Sequence, residues 1–326
     1  DVESRGLGDV YKRQVFDLEW NQDAEKKTEE PNLIPFEIIE IGAVKLNEKQ
    51  EILDSFSALI QPQIYTALDP NVSEIIQHTM KELQENGKPF PKVLREFLQW
   101  CGEDCIFCTW GSMDLVELQR NMKFYHFPTL SRKPFFYYDV QSLFAIFFEA
   151  EKKIRALSFA ADFFHITEKE EFHSAIGDAK YTAKIFQKFD LKKTKKYMEI
   201  DYFNSPRKKE DEIYVSFKSY AKYISMEYKN REVLLHAKNV KLATCPVCQE
   251  NGIKKIDWFS NNSKNYFGVF QCKKHGYLKG KLRIKKSDND RYFAVKTIKI
   301  ISKEEALNLK KQKEDIHNKK AEKRHA

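Results

Sequence analysis

Four acidic residues and a histidine, spread from Asp17 to Asp178, have the types and spacings to share one piece of chemistry. The stretch VFDLEW (15–20) reads as a short buried strand, yet it carries Asp17 and Glu19 two positions apart. Side chains alternate along a strand, so both carboxylates point to one face. Like charges that close raise each other's pKa and cost stability unless something neutralises them. Asp114 follows in WGSMDLVELQ, and Asp178 follows in HSAIGDAKYTAKIF, five residues after His173. Each stands where a strand ends or a helix begins, so the set can converge on one sheet edge. Convergence is tolerable if hard cations bind. Mg²⁺ and Mn²⁺ prefer oxygen ligands, and two such ions about 3.5–4 Å apart form the clamp used in phosphodiester cleavage. Taken singly, Asp114 and Asp178 read as helix caps and His173 as an ordinary histidine. Only the joint pattern points to ligation.

The six cysteines form two groups. CPVC (Cys245, Cys248) and CKKH (Cys272, His275) are two x₂-spaced pairs that supply four ligands for tetrahedral Zn²⁺. The proline in the first pair and the glycine after the second suit the tight turns of a zinc ribbon. A small β module lacks core, and ligation supplies folding energy. CGEDCIFC (101–108) has a spacing used for iron–sulfur clusters, but Cys105 and Cys108 lie in one strand at an odd separation and point to opposite faces. Those thiols read as buried core groups.

The elements that must position these residues come in a clear order. VFDLEW, FEIIEIGAVKL (36–46) and ILDSFSALIQP (52–62) read as three antiparallel strands. Helical spacing follows in SEIIQHTMKELQ (73–84) and in KVLREFLQWCG, with Val93, Leu94, Phe97 and Leu98 on one side. CIFCTWG is a strand, MDLVELQRNMKFY a helix, and FFYYDVQSLFAIFF a strand then a helix with Asp139 as N-cap. SFAADFFHI and GDAKYTAKIFQKF are two more helices. Strands first, then alternating helix and strand, predict an α/β mixed sheet flanked by helices.

The order DxE, D, H-x-x-x-x-D, at Asp17/Glu19, Asp114 and His173/Asp178, resembles the DEDDh branch of the DnaQ-like 3′→5′ exonucleases, which have a ribonuclease H-like fold. The resemblance covers roughly residues 15–190, with IEIGAVKL and the W-G-x-x-D spacing at Trp110–Asp114 fitting as well. It looks closest to the exoribonucleases that trim histone mRNA and small RNAs, and to the bacterial KapD-like proteins. It implies that Asp17 bridges two Mg²⁺ or Mn²⁺ ions, that Glu19 and Asp178 complete one site, and that Asp114 holds the other, partly through water. His173 would be the general base. Leu18 and Thr79 would contact the terminal nucleotide. One departure stands out: the helix that commonly carries a Thr-Gly pair here reads IIQHTMKEL, with no glycine.

Length and charge bound the rest. A chain of 326 residues with 42% hydrophobic content has room for about two domains and is not a disordered polymer. No apolar run approaches the ~20 residues of a membrane span, and no secretory signal is evident, so a cytoplasmic protein is expected. The net charge of +8 is split. Residues 192–326 hold 34 Lys and Arg against 16 Asp and Glu, and residues 1–191 hold 22 against 32. Such asymmetry points to a polyanionic partner for the basic half. KGKLRIKK sets Lys279, Lys281 and Arg283 on one strand face with aromatic residues nearby, a pattern for phosphates and unpaired bases.

The expected layout is a non-native or disordered leader (1–14), an exonuclease domain (15–191), a charged linker and long amphipathic helix (192–240), a zinc-ribbon-like β domain (241–302) and a basic helical tail (303–326). Within the leader, DVYKRQ resembles the translated end of a transposon adapter. The expected function is 3′→5′ exonucleolytic hydrolysis of single-stranded nucleic acid, RNA favoured, with two Mg²⁺ or Mn²⁺ and one Zn²⁺. The alternatives are a DNA proofreading or repair exonuclease and a non-catalytic nucleic-acid-binding protein.

Overall fold

Alternation along the first strand, β1 (Lys12–Gln22), divides the N-terminal unit into two cores. Val15 enters one and Phe16 and Leu18 enter the other. The computed structural model describes residues 12–22, 34–149, 153–167, 172–217, 220–260, 262, 264–287 and 289–325, with side chains to residue 318. Residues 1–11 of the expected leader, and residues 23–33 between VFDLEW and FEIIEIGAVKL, lie outside the described residues.

In unit 1 (residues 1–203), β1, β2 (Phe36–Leu46) and β3 (Ile52–Leu59) form the expected antiparallel meander. The single turn α1 (Pro70–Ser73), α2 (Met80–Asn86) and α3 (Phe90–Cys101) lead to β4 (Cys105–Thr109), which pairs parallel to β1. Then come α4 (Met113–Phe124), β5 (Phe135–Asp139), α5 (Val140–Phe147), α6 (Leu157–Phe163), α7 (Ala175–Phe186), the turn α8 (Leu191–Thr194) and β6 (Glu199–Asp201). The sheet order is β3-β2-β1-β4-β5-β6. One core packs Val15, Val44 and Cys108 against α5, α6 and α7. The other packs Phe16, Leu18, Ile41 and Ala43 against α3 and α4. This is the mixed sheet flanked by helices of a ribonuclease H-like exonuclease fold. Asp139 is the N-cap of α5, as expected, accepting from the Ser142 N–H at 2.8 Å.

Three expectations change. First, β1 starts at Lys12, three residues before Val15, because parallel pairing with β4 begins there. Gln14 is fully buried and donates to the Cys101 carbonyl at 2.8 Å. Second, SEIIQHTMKELQ is not one helix. Thr79 caps α2, with its Oγ1 accepting from the Glu82 N–H at 3.2 Å and the Glu82 carboxylate accepting from the Thr79 N–H at 2.8 Å. A reciprocal cap of this kind starts a helix, so the pattern breaks there. Third, the expected amphipathic helix over 215–237 is, among the described residues, two strand segments followed by a short helix.

In unit 2 (residues 204–326), β7 (Ile213–Phe217) pairs with β8 (Tyr220–Ile224), and α9 (Arg231–His236) follows before the turn α10 (Lys238–Lys241). Tyr, Val, Phe and Ile favour a pleated surface, and β8 finds an edge of β12 to pair with. The sheet order is β7-β8-β12-β11-β10-β9, with β9 (Ile253–Phe259), β10 (Asn265–Cys272), β11 (Gly276–Lys286) and β12 (Tyr292–Ile301). GVFQC (268–272), KGKLRIKK (279–286) and YFAVKTIKII (292–301) each read as a strand and fall in β10, β11 and β12, whereas β9 was not anticipated. The last element is the expected Lys-rich helix, α11 (Lys303–His325). No helix among the described residues is long and apolar enough to cross a membrane.

Candidate active site

The α7 face of β1 carries Asp17 and Glu19, and α7 brings Asp178 to them. Gly42 of β2, opposite Asp17, lets the helix approach. A Cβ there would lie 2.1 Å from the Ala175 carbonyl carbon and the Ile176 nitrogen, so any side chain would push the helix start away. The free N–H groups of that start are then met one by one. Ser174 Oγ accepts from the Gly177 N–H at 3.2 Å, and the Glu40 carboxylate accepts from Ala175 and Ile176. His173 precedes the cap in a left-handed backbone conformation (φ 67°), with its N–H donating to the Asp178 carboxylate. The side chain of His173 is exposed.

Ligand oxygens of Asp17, Glu19 and Asp178 all lie within 4.8 Å of one another. Asp114, in the first turn of α4, is 5% exposed, and its Oδ1 accepts from the Leu18 N–H at 3.3 Å. The five residues singled out by spacing therefore meet at one sheet edge, Asp114 approaching through the backbone between the two strand carboxylates. The electrostatics are those of a site built for cations. Burial, then Asp114, Asp178 and Glu19, hold Asp17 well above the usual carboxylate range. Burial, then Asp178 and Glu40, push Glu19 up to about 8. Burial takes Asp114 up to about 7 against the N–H groups of Asp114 and Leu18. Asp178 rises to about 6 through burial, with His173 opposing. Asp178 Oδ1 is buried with no hydrogen-bond partner. An orphaned carboxylate oxygen facing two others, in an all-oxygen set, fits a hard divalent cation.

A family model for the RNase T exonucleases matches residues 15–186. The chain belongs to this exonuclease family. Its motif set is that of the DEDDh branch of the DnaQ-like 3′→5′ exonucleases, and the chain is an enzyme of that class. The family implies divalent metal ions. Among solved structures, the nuclease domain of 3′hExo, a DEDDh family member bound to rAMP, is 18% identical, with a TM-score of 0.47 over 60% of this chain and 98% of that one. A full-length 3′-exonuclease is 19% identical, with a TM-score of 0.45 over 55% and 80%. Cell-death related nuclease 4 is 19% identical, with a TM-score of 0.45 over 54% and 62%. These likenesses are distant, and the assignment rests on the 15–186 match. No curated protein matches the sequence.

The exonuclease's other expected contacts lie in different settings. The side chain of Leu18 is 3% exposed and belongs to the α3/α4 core. Thr79 is exposed and occupied in the α2 cap. Its neighbour His78 reaches further, with Nε2 3.8 Å from Glu40 Oε2. Glu40 is the residue that sequence reasoning missed. It pairs with Glu19 across the β1–β2 ladder, is 3% exposed, and is pushed up chiefly by burial. Its signal was the one that singled out VFDLEW: a carboxylate inside an apolar strand, EIIEIGAVKL.

In unit 2, Cys245, Cys248, Cys272 and His275 also converge, their ligand atoms within 4.8 Å of one another. Cys248 Sγ and Cys272 Sγ are 3.5 Å apart, and His275 Nδ1 lies 3.5 Å from Cys245 Sγ and 3.6 Å from Cys272 Sγ. A tetrahedral Zn²⁺ with bonds of about 2.3 Å to sulfur and 2.0–2.1 Å to nitrogen requires ligand separations of roughly 3.5–3.8 Å, so the set fits. Gly276 follows at φ 81°, which makes the turn after His275. Against the upward push of burial, the N–H groups of Lys274 and His275 bring the Cys272 thiol down to about 6, the thiolate form a metal takes. Cys101, Cys105 and Cys108 do not form such a set: Cys108 sits in one core of unit 1, and Cys101 and Cys105 in the other.

Lys279, Lys281 and Arg283 share one face of β11, as expected. Lys279 is engaged there, with its Nζ 2.9 Å from Glu305 Oε1 of α11.

Proposed function

We propose that the enzyme removes nucleotides from the 3′ end of single-stranded nucleic acid, RNA in preference to DNA. Asp17, Glu19, Asp114 and Asp178 would hold two Mg²⁺ or Mn²⁺ ions. The observation that carries the reading is the meeting of three carboxylates within 4.8 Å, one of them with an orphaned buried oxygen, beside a histidine. Bound there, the ions would supply positive charge for the phosphorus centre and a more acidic water. The chain's own residues do the rest. Asp17 and Glu19 are fixed by the β1 ladder, so they need little rearrangement to meet a ligand. Asp178 is oriented by the His173 N–H. His173, exposed and beside Asp178, takes the proton from the attacking water, a task suited to an imidazole at neutral pH. Glu40 holds the α7 start, and with it Asp178 and His173, at the sheet edge.

In unit 2 one Zn²⁺ among Cys245, Cys248, Cys272 and His275 would act as a structural centre, because four protein ligands leave no open position. The free thiols of unit 1 suit a reducing cytoplasm.

The test is incubation of end-labelled RNA and DNA strands with Mg²⁺ or Mn²⁺, comparing the protein with Asp17→Ala and His173→Ala. Stepwise shortening from the 3′ end by the parent, lost in both variants, is the expected result. Cleavage that survives Asp17→Ala would remove the acid cluster from the mechanism.

A further inference from the structure

Lys281 and Arg283 border a groove of about 830 Å³ within unit 2. It wraps the end of the sheet where β10 starts at Asn265 and the β11–β12 pair runs on to Lys286 and Tyr292. Half of its twelve lining residues are cations, and none is acidic: Arg231, Lys264, Lys281, Arg283, Lys285 and Lys286. At the rim, Lys286 pairs with Asp290 at 2.8 Å, and Arg231 donates to the Tyr266 hydroxyl at 2.9 Å. Lys264, Lys281 and Arg283 have no carboxylate within ion-pair distance among the described residues. Burial, then Arg283, Lys279 and Lys299, hold the Lys281 ammonium below its ordinary value, so the cluster is crowded with like charge. Phe267 and Tyr292 add aromatic side chains to the lining.

A concavity of this size falls within the roughly 300–1,000 Å³ of ligand sites. Cations without a carboxylate partner, two on β11 and one just ahead of β10, match an anion whose charges repeat along a chain, and rings beside them match unpaired bases. We propose that this groove binds the phosphodiester backbone of single-stranded nucleic acid, with Lys264, Lys281 and Arg283 on phosphates. The proposal rests on the exonuclease reading above for the kind of polymer, and it leaves Lys279, held by Glu305, outside the contact.

The measurement is fluorescence anisotropy of a labelled single-stranded oligonucleotide over a range of NaCl, using the full chain with Asp17→Ala to keep the strand intact. Each phosphate contact to a single strand contributes about 0.7 to the log–log salt slope. The combined change Lys264→Gln, Lys281→Gln and Arg283→Gln should therefore flatten the slope by about 2 and weaken binding by at least about ten-fold at low salt. The control removes three exposed lysines of unit 1, Lys49→Gln, Lys81→Gln and Lys188→Gln, and should leave the slope in place. Arg283→Gln alone, at an exposed position, should flatten it by about 0.7 and guards against misfolding of the triple variant. Equal slopes for both triple variants would overturn the proposal. So would displacement of the strand by poly-glutamate at equal charge concentration, which would make the groove a general acid-polymer site. Failure of the parent chain to digest either polymer would sink the exonuclease reading instead, and the binding slopes would still report on the groove.

Discussion

The acid cluster of unit 1 lies at the edge of a sheet that has a full core on each face, whereas the thiol cluster of unit 2 is itself part of a core. Cys245 and Cys272 are 0% and 2% exposed and pack with Ala243, Phe270, Leu278 and Ile298. In unit 1 the ladder, Gly42 and the α7 cap hold carboxylates together against their repulsion. The cores supply the stability, and the site spends some of it. In unit 2 the ligands stand where apolar side chains would otherwise be. On the proposed reading, one cluster is an open working site on a finished scaffold, and the other, with zinc bound, is a staple for a small sheet.

That contrast can be broken most decisively from the zinc side. Cys248→Ser, or a strong zinc chelator, should unfold unit 2, since structural zinc contributes about 10–16 kcal/mol of apparent binding energy in small modules. Circular dichroism melting with zinc analysis would show one transition lost; an unchanged melt would mean that the sheet stands without metal. In unit 1 the opposite pattern is expected: Asp17→Asn should lower kcat on the order of 10³-fold while the melt holds or rises, because one of four repelling carboxylates is gone. A large fall in melting temperature would show that the acids hold the fold together after all.

Gly42→Ala tests the scaffold directly. The added methyl group meets backbone of α7, so a loss of about 3 kcal/mol in urea unfolding, with activity falling alongside, is expected. Glu40→Gln is milder. It keeps an acceptor for the α7 N–H groups but weakens it, and should reduce kcat by about 10–100-fold with KM little changed. An effect on KM alone would make Glu40 a substrate contact.

The last test is a pH dependence. Without divalent cations, Asp178, Asp114 and Glu19 hold their protons to about 6, 7 and 8 in the folded chain. The unfolded chain releases them near 4. The folded state binds more protons across that window, so stability should fall as pH rises from about 4 to about 8. Mn²⁺ replaces those protons, and its stabilisation should grow over the same range. Equal Mn²⁺ shifts of Tm at pH 5 and pH 8 would argue against ligation by this cluster.

Much of this was legible in the residue order, and the exceptions have physical causes. Asp17 and Glu19 stood out because charge inside an apolar strand is costly, and Cys245/Cys248 and Cys272/His275 stood out because ligand spacing within a turn is local. Glu40 obeyed the same rule, but its partners, Glu19 across the ladder and the N–H groups of α7, are non-local. The 215–237 segment was misread because its apolar residues satisfy helical and strand spacing alike. The edge of β12, about seventy residues further on, decided between them.

The amino-acid order by itself determined which side chains could meet a cation, which face of each strand they take, and how unevenly charge divides between the two halves. These depend on side-chain chemistry and a period of two. Only the tertiary structure decided that Glu40 caps the helix carrying Asp178, that Lys279 is held by Glu305 while Lys281 and Arg283 line a groove, and that β7 and β8 join the second sheet. Those outcomes depend on distances between segments remote along the chain, which no local pattern encodes.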